Sequence, residues 1–381
     1  MAFRLIERLD QDIVHCTDPE TQECLKAERA GALARHGLIQ EARFALSGVR
    51  TQNQRLRSTR VATWIALVEG LIQHSDTLSP EAADKFQRAV DLAVQAAEPG
   101  LQALALAWLA TVNFNRSELV DMARQLSQAV ALAPLDHHAA WARIGLVLAD
   151  TCRFAGADDL SRQWYQRARL AAGHQGDASM MGALLHNFAT MRAARIGLQD
   201  AFGQADAEEA RLALVEAESS GNYDDSSGSQ ALTAMLPLLR AQLLVVLRRH
   251  DEAVSLFGAH LAVARAEGMA HREARFLADR AWCHANTLRQ HDAVRDAQAA
   301  VRLLPELLDA DDQAAVHGRL AQTWTRLGRP ELAAEQQPQA QAALAEHQAQ
   351  QARLRSILER AGLGRPPMPP VAARPALRPV A

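Results

Sequence analysis

The stretch RRHDEAVSLF (residues 248–257) places polar residues with turn potential before an alanine that is followed by apolar residues at helical spacing. This order is typical of the turn and second helix of a helical hairpin. Similar passages recur along the chain: RQHDAVRDA (289–297), LGRPELAAE (327–335), HGLIQEARFAL (36–46) and FAGADDLSRQWYQRA (154–168). The recurrence predicts a chain that is built from repeated helical pairs.

The position just after each turn can serve as an index of the repeat, and its successive steps are 40, 40, 39, 40, 52, 40 and 40 residues. The index positions are Ala42, Ala82, Met122, Ser161, Ala201, Ala253, Ala293 and Ala333. A small residue lies 12 positions before each of them, at Ala30, Gly70, Ala110, Ala149, Ala189, Ala241, Ala281 and Ala321. Small side chains there let the two helices of a hairpin approach closely. We therefore predict eight helical hairpins.

The composition supports a purely helical chain. Hydrophobic residues make up 49% of the 381 residues but aromatic residues only 4%, so the core must consist mainly of Ala, Leu and Val. Residues that favour strands never cluster with a period of two, whereas strong helix formers are abundant throughout. The predicted fold class is all-α.

The exceptional step of 52 residues contains SSGNYDDSSGSQ (residues 219–230), a passage of 12 residues without an aliphatic side chain. Because the step exceeds the usual one by the same 12 residues, we predict a flexible insertion loop between the fifth and sixth units. Three roles are compatible with this loop. It is a tolerated surface loop, it loosens a joint between two lobes, or it reaches over a groove near Tyr223.

The ends of the chain differ from the repeated units. Residues 1–17 are expected to form a capping helix before units one to five (18–218), and units six to eight occupy residues 231–345. Residues 346–362 are expected to cap the C-terminal end, with a coiled coil to a partner as the alternative. The tail over residues 363–381 is rich in proline and is expected to be disordered or polyproline-like.

Together, these features resemble the tetratricopeptide repeat over roughly residues 20–345. They are the small residues around each turn, a turn glycine (Gly37, Gly156, Gly328) and prolines that end units (Pro134, Pro305), and LAQTWTRLGRPELAA (320–334) matches best. The period near 40 is longer than the usual 34 of the family and is similar to repeats of bacterial signalling proteins, although many units lack the aromatic residues of the family. The resemblance implies a right-handed α-α superhelix of stacked hairpins.

The resemblance also implies a binding surface, because first helices line the concave face of such superhelices. The inward positions then fall on ten residues: Arg143, Asp150, Arg153, His186, Asn187, Thr190, Gln242, Arg275, Trp282 and Asn286. Their mixture of hydrogen-bonding groups with one large aromatic suits a peptide backbone and an aromatic anchor. Each of them could instead be an ordinary solvated residue.

The sequence contains no established motif for catalysis, phosphate binding or metal binding. The 41 basic and 44 acidic residues are interspersed and give a net charge of −3, which disfavours a nucleic-acid surface. Four scattered cysteines favour a reducing compartment, and no segment has the composition of a signal peptide or a membrane span. We therefore expect a cytoplasmic protein without a cofactor.

The function expected from these features is a non-enzymatic scaffold that binds a protein or peptide partner in bacterial signalling or complex assembly. The alternative is a sensory module that acts on a transcription or cyclic-dinucleotide output domain carried by another chain. A helical enzyme with an unfamiliar site is a third possibility. The oligomeric state and the identity of the partner stay open.

Overall fold

The computed structural model describes the backbone of residues 4–227, 233–307 and 309–366, and this part of the chain contains helices and no strand. The helices are α1 (Arg4–His15), α2 (Pro19–Arg35), α3 (Ile39–Leu56), α4 (Thr59–Thr77), α5 (Ala82–Gln95), α6 (Pro99–Asn115), α7 (Leu119–Leu132), α8 (His138–Phe154), α9 (Asp158–Gln175), α10 (Ala178–Ala201), α11 (Ala207–Ser227), α12 (Met235–Val246), α13 (His250–Ala266), α14 (Glu273–Asn286), α15 (Gln290–Leu303), α16 (Ala310–Arg326) and α17 (Pro330–Arg360). The all-α prediction is therefore confirmed for the described residues.

From α2 onward, the helices pack in eight neighbouring pairs, α2 with α3 through α16 with α17. Each pair corresponds to one predicted hairpin. The first helices of the pairs are the even-numbered ones, and the second helices are the odd-numbered ones. Helix α1 precedes the first pair and packs against α2, with Leu5, Ile6 and Leu9 buried.

The last pair shows how the local sequence makes such a hairpin. Helix α16 ends at Arg326, and Gly328 follows with φ of 68°, a left-handed conformation that glycine adopts without strain. The backbone N–H of Arg329 then donates to the carbonyl of Trp324 at 2.9 Å. Pro330 opens α17, where its missing N–H is not needed. The passage LGRPELAAE thus reverses the chain by itself.

Close contact within a pair depends on the small residues before the turn. A Cβ added at Gly70 on α4 would lie 2.6 Å from Cε1 of Phe86 on α5. In the fourth pair, Ser161 at the index position donates from its Oγ to the carbonyl of Ala149 at 2.8 Å. Phe86, Ala149 and Ser161 are all buried, so these positions join the helices of a pair.

The first helices make contacts beyond their own pairs. Helices α2, α4, α6, α8 and α10 each contact the next, and α10 also contacts α2. Helices α10, α12, α14 and α16 do the same, and α16 returns to α10. We refer to these two closed sets as the first ring and the second ring. They share helix α10.

The hydrophobic core is divided at the shared helix. One large cluster extends from Leu5 to Leu184 and includes Leu354, Leu358 and Leu363, whereas the other extends from Ala189 to Ala333. Helix α17 therefore begins in the second cluster and ends in the first. It is one continuous helix of 31 residues, so no boundary separates the eighth unit from the C-terminal cap that we predicted for residues 346–362.

The fifth unit differs from the prediction. Ala201 is the last residue of α10, and α11 begins only at Ala207, so the residue equivalent to the other index positions is the buried Ala210. The predicted loop over residues 219–230 is not seen where the backbone is described, because α11 continues through Ser227. Residues 228–230 lie outside the described residues, as do residues 367–381 of the predicted tail.

Much of the additional length lies instead in α10, which has 24 residues where α8 has 17. A helix that borders both rings must span more of the molecule than a helix that borders one. This requirement gives a physical reason for the longer step in the repeat.

Candidate functional site

A half-buried polar strip lies where α8 and α10 face each other in the first ring. The side-chain amide of Asn187 donates to Oδ2 of Asp150 at 2.6 Å. Burial raises the pKa of Asp150 to about 7, although the hydrogen bond from Asn187 and the charge of Arg143 act in the opposite direction. Asp150 thus retains a proton more readily than an exposed aspartate does.

Arg153 extends the strip by one turn of α8. Its guanidinium lies 4.3 Å from the centre of the Phe188 ring, close enough for a cation–π contact, and 3.6 Å from Asp158. Burial lowers the pKa of Arg153, and its Nε has no hydrogen-bond partner within the protein. The strip therefore contains a basic group with an unused donor.

His186 and Thr190 complete the strip on α10. Both are half-buried, and Thr190 lies one turn beyond Asn187. The Oγ1 of Thr190 is buried and has no hydrogen-bond partner within the protein. Five of the ten predicted residues, namely Asp150, Arg153, His186, Asn187 and Thr190, are thus brought to one region and keep part of their surface exposed.

Arg143 lies deeper in the first ring than this strip. It is only 6% exposed, and its guanidinium carbon lies 3.3 Å from the centre of the Trp108 ring. Burial, together with the nearby positive charge of Arg35, lowers the pKa of Arg143 to about 9. Arg143 is therefore still charged at neutral pH but is too deep to touch an extended peptide on the strip.

A small cavity of about 20 Å³ lies between the helices of the first ring. On one side, Arg35 donates to Asp177 at 2.6 Å. On another, burial raises the pKa of Glu28, and Gln175 donates to this carboxyl group at 3.3 Å. The remaining lining is mostly apolar: Gly31, Trp64, Leu67, Leu71, Leu104, Trp108, Ala139 and Met180.

The predicted residues of the second ring do not form an open surface. Arg275 is 2% exposed and donates to Asp312 at 2.7 Å and to the carbonyl of Ala194 at 3.0 Å. Gln242 is buried as well. Both residues were predicted to line a concave face, but the closure of α16 onto α10 places them inside.

The other two predicted residues of this group remain half-buried on α14. The side-chain amide of Asn286 donates to the carbonyl of Trp282 one turn earlier, at 2.8 Å. The Trp282 ring lies 5.8 Å from the guanidinium carbon of Arg319, and its Nε1 has no hydrogen-bond partner within the protein. These side chains belong to the second ring and are not part of the strip between α8 and α10.

The second ring contains a buried ion-pair network that no sequence pattern indicated. Arg319 contacts Asp200 at 2.7 Å and Asp279 at 2.9 Å, and it is 2% exposed. Arg248 reaches the other side of Asp200 at 2.8 Å. The partners come from α10, α14, α16 and the turn between α12 and α13, so no local spacing could have indicated this network.

The described residues contain no group that is arranged like a metal site or an activated thiol. No three His, Cys, Asp or Glu side chains in this part of the chain could hold a metal ion together. Burial raises the pKa of Cys24 and of Cys152 to about 12, so neither is a thiolate at neutral pH. Within the same residues, no helix combines the length and the apolar character that crossing a membrane requires.

No model of a known protein family matches the chain, and no curated protein matches it in sequence.

Proposed function

We propose that this chain is a tetratricopeptide-like superhelix that acts as a non-enzymatic binding scaffold. The partner is an extended peptide or a segment of another protein, and the setting is bacterial signalling or complex assembly. One observation supports the proposal above the others. The strip between α8 and α10 carries partly exposed polar residues, two of which, Arg153 and Thr190, contain a buried polar atom without a hydrogen-bond partner in the protein.

The unused hydrogen-bonding groups match the needs of a peptide backbone. The Nε of Arg153 and the Oγ1 of Thr190 are buried in the unbound chain, so they reach a peptide only when these partly exposed side chains turn toward it. Buried polar groups without a partner raise the free energy of the unbound protein, so a ligand that satisfies them gains affinity. An extended chain presents such groups at regular intervals.

The strip also offers a site for a side chain of the ligand. Phe188 and Tyr165 lie with their rings 5.4 Å apart, and Arg153 covers Phe188 from another side. Asn187, the residue before Phe188, bonds to Asp150 on α8. An apolar or aromatic side chain of the partner can pack there while its backbone bonds to the polar groups.

A capture experiment with the full-length chain tests the proposal. The chain is used as bait in lysate of the source organism, and the bound proteins are quantified by mass spectrometry. Replacing Arg153 and Thr190 by alanine together should reduce recovery of the specific partner about tenfold, because roughly two hydrogen bonds are lost.

Arg162→Ala provides the matched control, because Arg162 lies on the outer helix α9 with a largely exposed side chain. This variant should recover the partner as the parent chain does. Equal recovery by the Arg153 and Thr190 double variant, with unchanged helix content, would rule out the strip as the binding surface. A captured protein with a DNA-binding or cyclase domain would favour the sensory-module alternative.

A further inference from the structure

We propose that the exposed face of α3 is a self-association surface, on which a second copy of this chain packs its own α3 in antiparallel orientation about a two-fold axis at Gly48. The proposed peptide binding does not assign this face. The inference does not rest on that proposal either, because it uses no residue of the strip between α8 and α10.

The first observation is a groove beside α3. It has a volume of about 470 Å³ and lies between α2 and α3, where Ala45, Gly48 and Gln52 contribute to one wall. The cations of the opposite wall are Lys26 and Arg29, and both already form ion pairs within the chain. The groove is therefore a preformed recess for a side chain and not a site for a small charged ligand.

The second observation is an exposed aromatic side chain on the same helix. Phe44 is 83% exposed and lies one turn before Gly48. It points about 100° away from its neighbour Ala45, which lines the groove, so it cannot enter the groove of its own chain. A side chain of this size gains free energy when another molecule covers it.

The third observation is that the two ends of this face carry opposite charges. Glu41 lies seven residues before Gly48 and Arg55 seven residues after it, so all three lie on one face of α3. Among the described residues, Glu41 and Arg55 form no ion pair and are exposed, whereas Arg43 and Arg50 of the same helix pair with acidic residues of α4.

A two-fold axis through Gly48 brings these features together. In an antiparallel pair of helices, positions that lie equally far from the axis face each other. Glu41 of each copy then meets Arg55 of the other, and Phe44 meets Gln52 at the groove. Because Gly48 has no side chain, the two helix axes can approach closely at the crossing. The same patch serves both copies, as a two-fold interface requires.

The hydroxyl groups on this side of α3 do not oppose its burial. Ser47 donates to the carbonyl of Phe44 at 2.7 Å, and Thr51 donates to the carbonyl of Ser47 at 3.0 Å. Covering them leaves no hydroxyl donor without an acceptor, so the cost of removing them from water is small.

The length of α3 limits the strength of the association. Its 18 residues span about 27 Å. One helix pair of this length buries less than the roughly 800 Å² per partner of a standard interface. We therefore expect a dimer with a dissociation constant of roughly 10–100 µM.

Sedimentation equilibrium of the full-length chain tests the proposal. The parent chain should become dimeric as its concentration rises to about 200 µM. Glu41→Arg and Arg55→Glu each place like charges across the axis, so each variant alone should associate at least about tenfold more weakly. An equimolar mixture of the two variants should dimerise again, because one variant then carries two basic groups and the other two acidic groups.

Glu335→Arg is the matched control, because Glu335 is exposed on α17. This variant should dimerise as the parent chain does. A parent chain that stays monomeric at about 200 µM would overturn the proposal. Dimerisation that neither charge variant weakens would overturn it as well, as would a mixture that associates no better than either variant alone.

A cysteine cross-link tests the position of the axis. Gly48→Cys places a thiol at the axis in both copies, so mild oxidation should link the dimer covalently, as seen on a gel without reductant. A Cβ at Gly48 meets no atom within 4 Å, and the same holds for the exposed Gly258 on α13. Gly258→Cys is therefore the control and should not cross-link above the level of the parent chain. Equal cross-linking of the two variants would contradict an axis at Gly48.

Discussion

The two rings of first helices treat their buried charges differently. In the second ring, Arg319 lies between Asp200 and Asp279, and Arg275 bonds to Asp312. In the first ring, Arg35 pairs with Asp177, but among the described residues Arg143 forms no ion pair and stacks on Trp108, and Asp150 accepts a hydrogen bond from the amide of Asn187. The second ring thus encloses a network of ion pairs, whereas the first ring combines one ion pair with an arginine and an aspartate that form none within the described residues.

This difference indicates which of the two rings is the better candidate for binding a ligand. The members of a buried ion pair satisfy each other, so they offer few free hydrogen-bonding groups to a ligand. The main consequence of such pairs is that they fix how α10, α14 and α16 pack against one another. A buried charge without a partner destabilises the unbound protein, and a ligand that pairs with this charge removes the cost. The first ring is therefore the better candidate for binding.

The largest effect is expected where the two regions are joined. Leu354 and Leu358 of α17 are buried in the core cluster of the first ring, although α17 starts in the cluster of the second. Replacing both by alanine should cost roughly 4 kcal/mol or more of unfolding free energy, since each buried leucine contributes about 2–5 kcal/mol. Urea unfolding followed by circular dichroism should then show two transitions.

The matched control for this experiment is Arg353→Ala, because Arg353 lies on the same helix with a largely exposed side chain. It should change the unfolding free energy by less than about 0.5 kcal/mol. A double leucine variant that still unfolds in one transition at the parental urea concentration would show that α17 does not couple the regions.

The next largest effect compares the two buried arginines directly. Arg319→Met leaves Asp279 buried without its cation and Asp200 with Arg248 alone, so we expect a loss of about 3 kcal/mol. Arg143→Met removes a buried charge that has no carboxylate partner among the described residues, so it should cost less than about 1 kcal/mol. Chemical unfolding of both variants measures the difference. Equal losses would contradict the distinction between paired and unpaired charges.

The smallest effect concerns Asp150 and depends on pH. Its folded-state pKa of about 7 exceeds the unfolded value of about 3.9, so the stability that its protonated form provides is lost as pH rises from about 4 through 7. Asp150→Asn has no such loss. The variant should be more stable than the parent at pH 8, and this gain should decrease as pH falls through 7 and vanish near pH 4.

Unfolding curves of the parent and the Asn variant at pH 4, 6 and 8 provide this measurement. Arg143 and Arg153 are the charged groups that act on Asp150, and both oppose the rise of its pKa. A variant that is less stable than the parent at pH 8 would mean that these arginines hold Asp150 as a carboxylate.

The helical pairs could be predicted because each follows from local chemistry. Seven of the eight index positions fall in the first turns of a second helix, and Ala253, Ala293 and Ala333 are buried there as expected. The prediction for the remaining index position, Ala201, is wrong because the fifth unit has a longer first helix. A fixed period cannot reveal which unit is lengthened when the added residues are themselves good helix formers.

The candidate site was predicted only in part for a related reason. Asp150, Arg153 and Asn187 could be placed on inward faces from their positions within a unit, and the structure brings them together. Arg275 occupies a similar position in its own unit, yet it is bonded to Asp312. Position within a unit determines the face of a helix but not what covers that face.

The sequence by itself determined the class of secondary structure, the pairing of neighbouring helices and the turns between them. Gly, Pro, capping residues and small side chains act within one turn or one pair, so their effect can be read along the chain. Only the tertiary structure decided that α2 and α16 both return to α10, and hence which buried charges are paired. Those contacts join segments that are far apart in the sequence, so no spacing within one helical pair encodes them.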